Sequence, residues 1–147
     1  MLANGLKIYF KKTHKDAIVP TYAHAGDCCC DLYSVEELVI KPMERRLIDT
    51  GIAIQLPGGF EAQIRPRSGN AYKHGLTVLN SPGTVDEPYR NSLKVLLINL
   101  GDSPYPVLKG DKIAQMKFSP VYQGVFLEAQ DLSESDRGMN GWGSSGR

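Results

Sequence analysis

The sequence predicts an all-β domain, and three observations carry that expectation. Short apolar segments alternate with polar residues, turn signals recur about every ten residues, and only one stretch has helical character. This pattern belongs to sandwiches and barrels. Ile52, Ile54 and Leu56 alternate with Ala53 and Gln55, and Phe60, Ala62 and Ile64 alternate with Glu61, Gln63 and Arg65. Pro57-Gly58-Gly59 lies between them, so the two runs read as a hairpin. Leu76 to Leu79 is strand-like, and the apolar run from Leu93 to Leu100 ends at the turn Gly101-Asp102-Ser103-Pro104. Gly110-Asp111 is another turn, followed by expected strands at Ile113 to Phe118 and Val121 to Leu127. The helical exception is Ser68 to His74, with Ser68 as a cap and Gly75 as its stop.

The chain has 147 residues, enough for one domain and one core. Lys and Arg total 17 against 16 Asp and Glu, a net charge of +1. That balance argues against stable binding to nucleic acid, which relies on a basic surface, but leaves room for a local basic pocket. No apolar run approaches the ~20 residues that span a bilayer, and the start lacks a signal-peptide core. The expected location is a reducing, cytoplasmic compartment. Cys28, Cys29 and Cys30 are consecutive and odd in number, which suits neither a disulfide framework nor a zinc site. They read as small buried or half-buried thiols. His14, His24 and His74 form no metal spacing.

Three regions carry candidate chemistry. Pro66-Arg67-Ser68-Gly69 opens the short helix, where free N–H groups, a hydroxyl and a charged fork suit an anion. Gly83-Thr84-Val85-Asp86-Glu87-Pro88-Tyr89-Arg90 places a carboxylate able to polarise water near a tyrosine able to pack on a ring. Arg137 to Arg147, RGMNGWGSSGR, reads by composition as a flexible tail. Its Trp142 needs a surface, and its glycines allow close approach to phosphate.

Five segments in order resemble the motifs of the trimeric deoxyuridine triphosphatases: Ala25 to Ser34 (AGDCCCDLYS), Pro66 to Gly75 (PRSGNAYKHG), Asn80 to Lys94 (NSPGTVDEPYRNSLK), Gly110 to Met116 (GDKIAQM) and Arg137 to Gly146 (RGMNGWGSSG). Each is weak alone, but their order and spacing over residues 25–146 are specific. The poxvirus branch is the nearest in appearance, which would make the protein viral and its cytoplasm that of a host cell.

The resemblance implies a distorted jelly-roll or β-clip barrel with one short helix, assembled as a homotrimer. Residues 1–136 would form the barrel, and residues 137–147 a glycine-rich tail closing over an active site built from more than one chain. The implied reaction is hydrolysis of dUTP to dUMP and pyrophosphate. It limits uracil incorporation into DNA and supplies dUMP for thymidylate synthesis. Asp86 would activate the water. Arg67, Ser68, Gly69, Gln115, Arg137, Gly143 and Ser144 would hold phosphates, with Lys94 a further contributor. Asn80, Gly83, Thr84 and Val85 would line the uracil site, Tyr89 would pack on the deoxyribose, and Trp142 would cover the base. Mg²⁺ would be held mainly by substrate phosphates, with Asp31 meeting it through water.

The chain departs from the family pattern at Cys28, Cys29 and Cys30, where small residues including Gly are usual. Trp142 stands where Phe is usual, Pro88 at a position often acidic, and Asn91 at one often Gly. The rival readings are a dCTP deaminase-like enzyme, a non-catalytic nucleotide-binding module on the same fold, and a capsid-like jelly roll. Asp86, Arg67, Arg137 and Trp142 together favour the hydrolase.

Overall fold

The computed structural model describes residues 5–142. In chain order its elements are β1 (Tyr9–Lys12), β2 (Cys30–Tyr33), β3 (Leu38–Ile40), β4 (Arg45–Asp49), β5 (Ile52–Gln55), β6 (Phe60–Arg65), α1 (Ser68–His74), β7 (Leu76–Val78), β8 (Gly83–Val85), β9 (Lys94–Asn99), β10 (Tyr105–Val107) and β11 (Lys112–Pro120). The strands form four antiparallel sheets, ordered β1-β5, β3-β10, β2-β11-β6-β8 and β4-β9-β7. Short strands spread over small sheets around one core make a distorted jelly roll. No helix among the described residues is long and apolar enough to cross a membrane.

Two central strands organise the molecule. β9 is apolar at Val95, Leu96, Leu97 and Ile98 and lies between β4 and β7, with Leu97 opposite Arg46 and Val78. β11 lies between β2 and β6. Its register places Gln115 opposite Asp31 on one side and Arg65 on the other. Directly opposed residues share a sheet face, so three polar side chains stand in a row across three strands. A bulge between Lys112 and Ala114 inserts one residue against β2, which re-aims the strand end that carries Lys112.

One contiguous core includes Leu32, Ile40, Ile48, Ile52, Leu93 and Val107, all essentially inaccessible. Each such aliphatic side chain contributes roughly 1.5–3 kcal/mol through burial. Asn99 is fully buried among them with its side chain satisfied. Its Nδ2 donates to the carbonyls of Ile40 (2.9 Å) and Ser103 (2.8 Å), and its Oδ1 accepts from the Gly101 N–H (2.9 Å). The same corner requires glycine at the helix stop. Gly75 has φ +67°, and a Cβ there would lie 2.4 Å from the Gly101 nitrogen.

Three expectations are corrected. Both strands of the expected hairpin exist, but they do not pair with each other: β5 pairs with β1, and β6 with β11 and β8. Ile52, Ala53 and Ile54 are all buried, so β5 is covered on both faces and its alternation does not mark one solvent face. Pro57–Gly59 therefore carries the chain from one sheet to another. Residues 121–127 form no strand. Tyr122, Val125, Phe126 and Leu127 are almost fully exposed, because the segment leaves the domain with no partner strand beside it among the described residues. Finally, the residue before the first helical turn is Arg67, in extended conformation, with no side-chain cap bond; Ser68 is already helical.

Candidate active site

The sequence-predicted residues fall into two depressions and an arm. The first is a polar cleft of about 310 Å³ lined by Asp27, Cys28, Cys29, Asp31, Arg67, Ser68, Gly69 and Gln115. Its geometry follows from the β2-β11-β6 register. Asp31 is nearly buried on β2 and held by two cations: Arg67 Nε donates to Oδ1 (3.1 Å) and Lys112 Nζ to Oδ2 (2.7 Å). The carbonyl of Lys112 accepts from Asn70 Nδ2 (3.2 Å) and Arg67 Nη1 (3.4 Å), which ties the helix to the bulged end of β11. Gln115 Nε2 donates to the Pro66 carbonyl (2.8 Å), fixing the turn before Arg67. The hydrogen bond to Asp31 is the main cause of a raised Lys112 pKa, so this ammonium stays charged beside the cleft.

The second depression is a more apolar cavity of about 320 Å³ that includes Asn80, Gly83, Thr84, Val85, Tyr89 and Lys94 in its wall. Its floor is β8, which pairs with β6 so that Gly83 lies opposite Ile64. Gly83 and Val85 are buried, while Asn80, Thr84, Tyr89 and Lys94 reach solvent. The strands flanking residues 79–82, β7 and β8, pair with β9 and β6 rather than with each other. Residues 79–82 thus form a loop bridging two sheets, with a cis peptide at Ser81-Pro82. Tyr89 is anchored at its tip, where its hydroxyl donates to the Ser92 carbonyl over 3.0 Å. Ser92 is buried, hydrogen-bonded through its hydroxyl to Asp49 and at 3.0 Å to Thr13.

Asp86 lines neither depression. It follows Val85 directly and is exposed on a surface recess with Gly59, Phe60, Glu61 and Glu87. Arg137 lies in the exposed C-terminal arm, its Nε donating to the Asn140 carbonyl (3.0 Å), and Trp142 is fully exposed. Gly143 and Ser144 lie outside the described residues. One chain therefore gathers Asp31, Arg67, Ser68, Gly69 and Gln115 in one place and Asn80, Gly83, Thr84, Val85, Tyr89 and Lys94 in another, and brings neither to Asp86 nor to the arm. Sequence reasoning missed Lys112, which holds Asp31, Asn70, which donates to the same Lys112 carbonyl as Arg67, and Ser92, whose carbonyl holds Tyr89. All three stand inside the segments that resemble the family motifs, so position was a signal, but the contacts of Lys112 with Asp31 and of Asn70 with Lys112 join elements far apart in the chain.

The three cysteines differ. Cys30 is buried on β2 with its thiol 3.5 Å from the Met116 carbonyl, and burial pushes its pKa up to about 11. Cys29 is half-buried, its thiol raised by burial and then by its contact with Cys28. Cys28 is exposed, against the expectation of buried or half-buried thiols. Among the described residues no group of three or more His, Cys, Asp or Glu could hold a metal ion.

A polar cleft that holds an arginine, a serine hydroxyl and a glutamine beside two carboxylates, and an apolar cavity rimmed by a tyrosine, lie on one small jelly roll and suit a ligand with both polar and ring-bearing parts, as a nucleotide has. The chain belongs to the dUTPase family, whose family model matches residues 15–146. The deoxyuridine 5'-triphosphate nucleotidohydrolase of Clostridium kluyveri is 54% identical over 141 residues, covering 96% of this chain and 99% of the relative. That of Clostridium novyi is 55% identical with the same coverage. Among solved structures, the Staphylococcus bacteriophage 80alpha dUTPase with dUPNHPP superposes with a TM-score of 0.86 at 26% identity, covering 96% of this chain and 99% of that one. These curated relatives are bacterial, and they lend no support to the expected poxvirus branch.

Proposed function

We propose that this chain is a dUTP diphosphatase, hydrolysing dUTP to dUMP and pyrophosphate by attack of water on the α-phosphorus. The carrying observation is the pairing of a polar cleft that holds the Asp31–Arg67 ion pair, Ser68 and Gln115 with a tyrosine-rimmed cavity at Asn80–Tyr89. Both are built from the segments that resemble the family's motifs, in a chain over half identical to enzymes of that name.

Each group has a role that its chemistry allows. Main-chain donors and acceptors between Asn80 and Val85 read the uracil edge. The narrow floor at Gly83 leaves no space for a thymine methyl, and mispaired buried polar groups reject cytosine. Tyr89, fixed at its hydroxyl by Ser92, lies against the sugar and excludes a 2′-hydroxyl. Arg67, Ser68, Gly69 and Gln115 take the phosphates, with Arg137, Gly143 and Ser144 closing from the tail, Lys94 assisting, and Trp142 stacking on the base. Asp86 accepts a hydrogen bond from the attacking water and orients it.

The residues fit a magnesium ion carried by the substrate. Both Asp31 oxygens already bind cations, which suits contact through water and not direct ligation. Mg²⁺ bound with the triphosphate would supply neutralising charge for the leaving pyrophosphate, with Asp31 reaching it through water.

We further propose a homotrimer with shared sites. The cleft and the cavity are separate in one chain, Asp86 faces neither, and the arm from residue 121 extends away with Val125, Phe126 and Leu127 exposed. A neighbouring copy supplies what each half lacks and buries that arm. The site thus opens to dUTP, with no stable nucleic-acid or membrane partner. A cytoplasmic location belongs to the same proposal.

Pyrophosphate release from dUTP, with and without Mg²⁺ and beside dTTP, dCTP and UTP, tests the function. Fast, Mg²⁺-dependent release from dUTP alone is expected. Tight dUTP binding without release would leave a binding module on this fold.

A further inference from the structure

Cys28 and Cys29 sit where the polar cleft opens, and their sulfurs are 3.5 Å apart. Successive residues of an extended strand point to opposite faces, and Cys30, the first residue of β2, does turn inward toward the Met116 carbonyl. The two residues before it lie in a bend, not in the strand. Both residues line the same cleft as Asp31, Arg67, Ser68, Gly69 and Gln115.

The bend is tied at both ends. On one side, the His24 N–H donates to Asp27 Oδ2 (2.8 Å) and the Asp27 N–H to the His24 carbonyl (3.2 Å). On the other, β2 is clamped along β11 from Cys30 onward. A covalent link between the two sulfurs has to be absorbed within residues 27–30, whose Asp27 and Asp31 neighbours line the cleft itself.

We propose that Cys28 and Cys29 form a vicinal-dithiol modification site at the mouth of the phosphate cleft, closed to a disulfide by small disulfides and thereby weakening triphosphate binding. The proposal rests on the reading of that cleft as the phosphate site. In the first step one cysteine sulfur, having lost its proton, attacks a sulfur of the small disulfide. A mixed disulfide forms and one small thiolate leaves, taking up a proton. The second cysteine sulfur then attacks the protein sulfur of that mixed disulfide, its proton passing to the second departing small thiolate. Two S–H bonds and one S–S bond are broken; one Cys28–Cys29 bond and two small thiols are formed. The cysteines are oxidised by two electrons and the small disulfide is reduced.

The closed ring replaces two independent side chains with one rigid one and pulls the bend toward the peptide between them. The expected consequence is a higher KM for dUTP, because the lesion lies on the wall that holds the phosphates.

The test incubates the full chain with oxidised glutathione and follows intact mass, peptide mass and dUTP kinetics. The expected result is loss of two hydrogens mapped to residues 28 and 29. KM for dUTP rises roughly tenfold, equivalent to about 1.4 kcal/mol, and a reductant reverses it. Cys28→Ser and Cys29→Ser should each instead keep one glutathione on the remaining thiol. A wild-type protein that only accumulates glutathione adducts, a disulfide that includes Cys30, or an unchanged KM after full closure would each overturn the proposal. The mass readout does not depend on dUTP, and turnover by the reduced protein tests the functional reading separately.

Discussion

The main-chain N–H of Tyr89 donates to the carbonyl oxygen of Asp86 over 3.1 Å, so the proposed base and the proposed sugar platform open and close a single turn. Pro88 stands inside that turn, where its fixed φ stiffens the link. The tyrosine ring is pinned separately through its hydroxyl to Ser92. The carboxylate is thus held by the backbone that frames the sugar site while its own side chain stays exposed.

Replacing Asp86 with Asn tests that division of labour. The turn depends on main-chain atoms, so the fold and dUTP affinity should persist. Pyrophosphate release should fall by roughly 10²–10⁴-fold, the usual weight of a general base. Near-normal turnover in this variant would remove Asp86 from the chemistry.

Gly83→Ala probes the cavity floor. An added Cβ would lie 3.3 Å from the Ile64 Cβ and 3.4 Å from Asn80 Nδ2, tighter than ordinary contact. The Asn80 amide should shift and KM for dUTP rise roughly tenfold, with little change in circular dichroism. Unaltered steady-state kinetics would place the uracil elsewhere.

Sharing of sites between chains is tested by mixing. Deleting residues 137–147 should leave a folded oligomer whose turnover drops by about a hundredfold or more through lost positioning. Refolding those chains together with Asp86→Asn chains should restore part of the rate, because some mixed sites receive an intact base and an intact tail. Absence of rescue at every mixing ratio would mean that both come from one chain.

Asn99 provides a stability test away from the site. Asn99→Ala strips the carbonyls of Ile40 and Ser103 and the N–H of Gly101 of their side-chain partner. Unsatisfied buried groups cost about 1–3 kcal/mol each where water cannot replace the bond. Thermal unfolding should shift down by several degrees, with KM for dUTP unaltered in the protein that remains folded.

Cys30 gives a pH signature. Its folded pKa, about 11, lies above the ordinary thiol value of 9.0 because burial opposes the thiolate. The folded state therefore holds this proton more firmly than the unfolded chain. The contribution is fully present below pH 9 and is lost as pH rises through about 11. Urea midpoints measured across that range should fall more steeply for the wild type than for Cys30→Ala. In the native protein at pH 8, iodoacetamide should label Cys28 well before Cys30.

Much was legible in the chain itself. Alternation and turn residues marked β5, β6, β7, β9 and β11, because a half-buried strand must alternate and a turn needs Gly, Pro, Asn or Asp, while shorter strands such as β3, β8 and β10 carry too few residues to show a period. The helix and its glycine stop were readable from local chemistry, as was the grouping of Arg67, Ser68 and Gly69 by simple adjacency. Tertiary structure alone decided which strands meet. Ile52–Gln55 and Phe60–Arg65 are separated by a turn yet belong to different sheets, since β5 is buried on both faces and needs β1 as its partner. The same long-range pairing brings Asp31, Gln115 and Arg65 into one row and sets Lys112 and Arg67 on the two oxygens of Asp31. Local sequence determines which residues favour a strand or a turn, because that preference is a property of a few neighbouring side chains. Partner choice and register are set by how the whole apolar surface is buried at once, and that is a property of the fold.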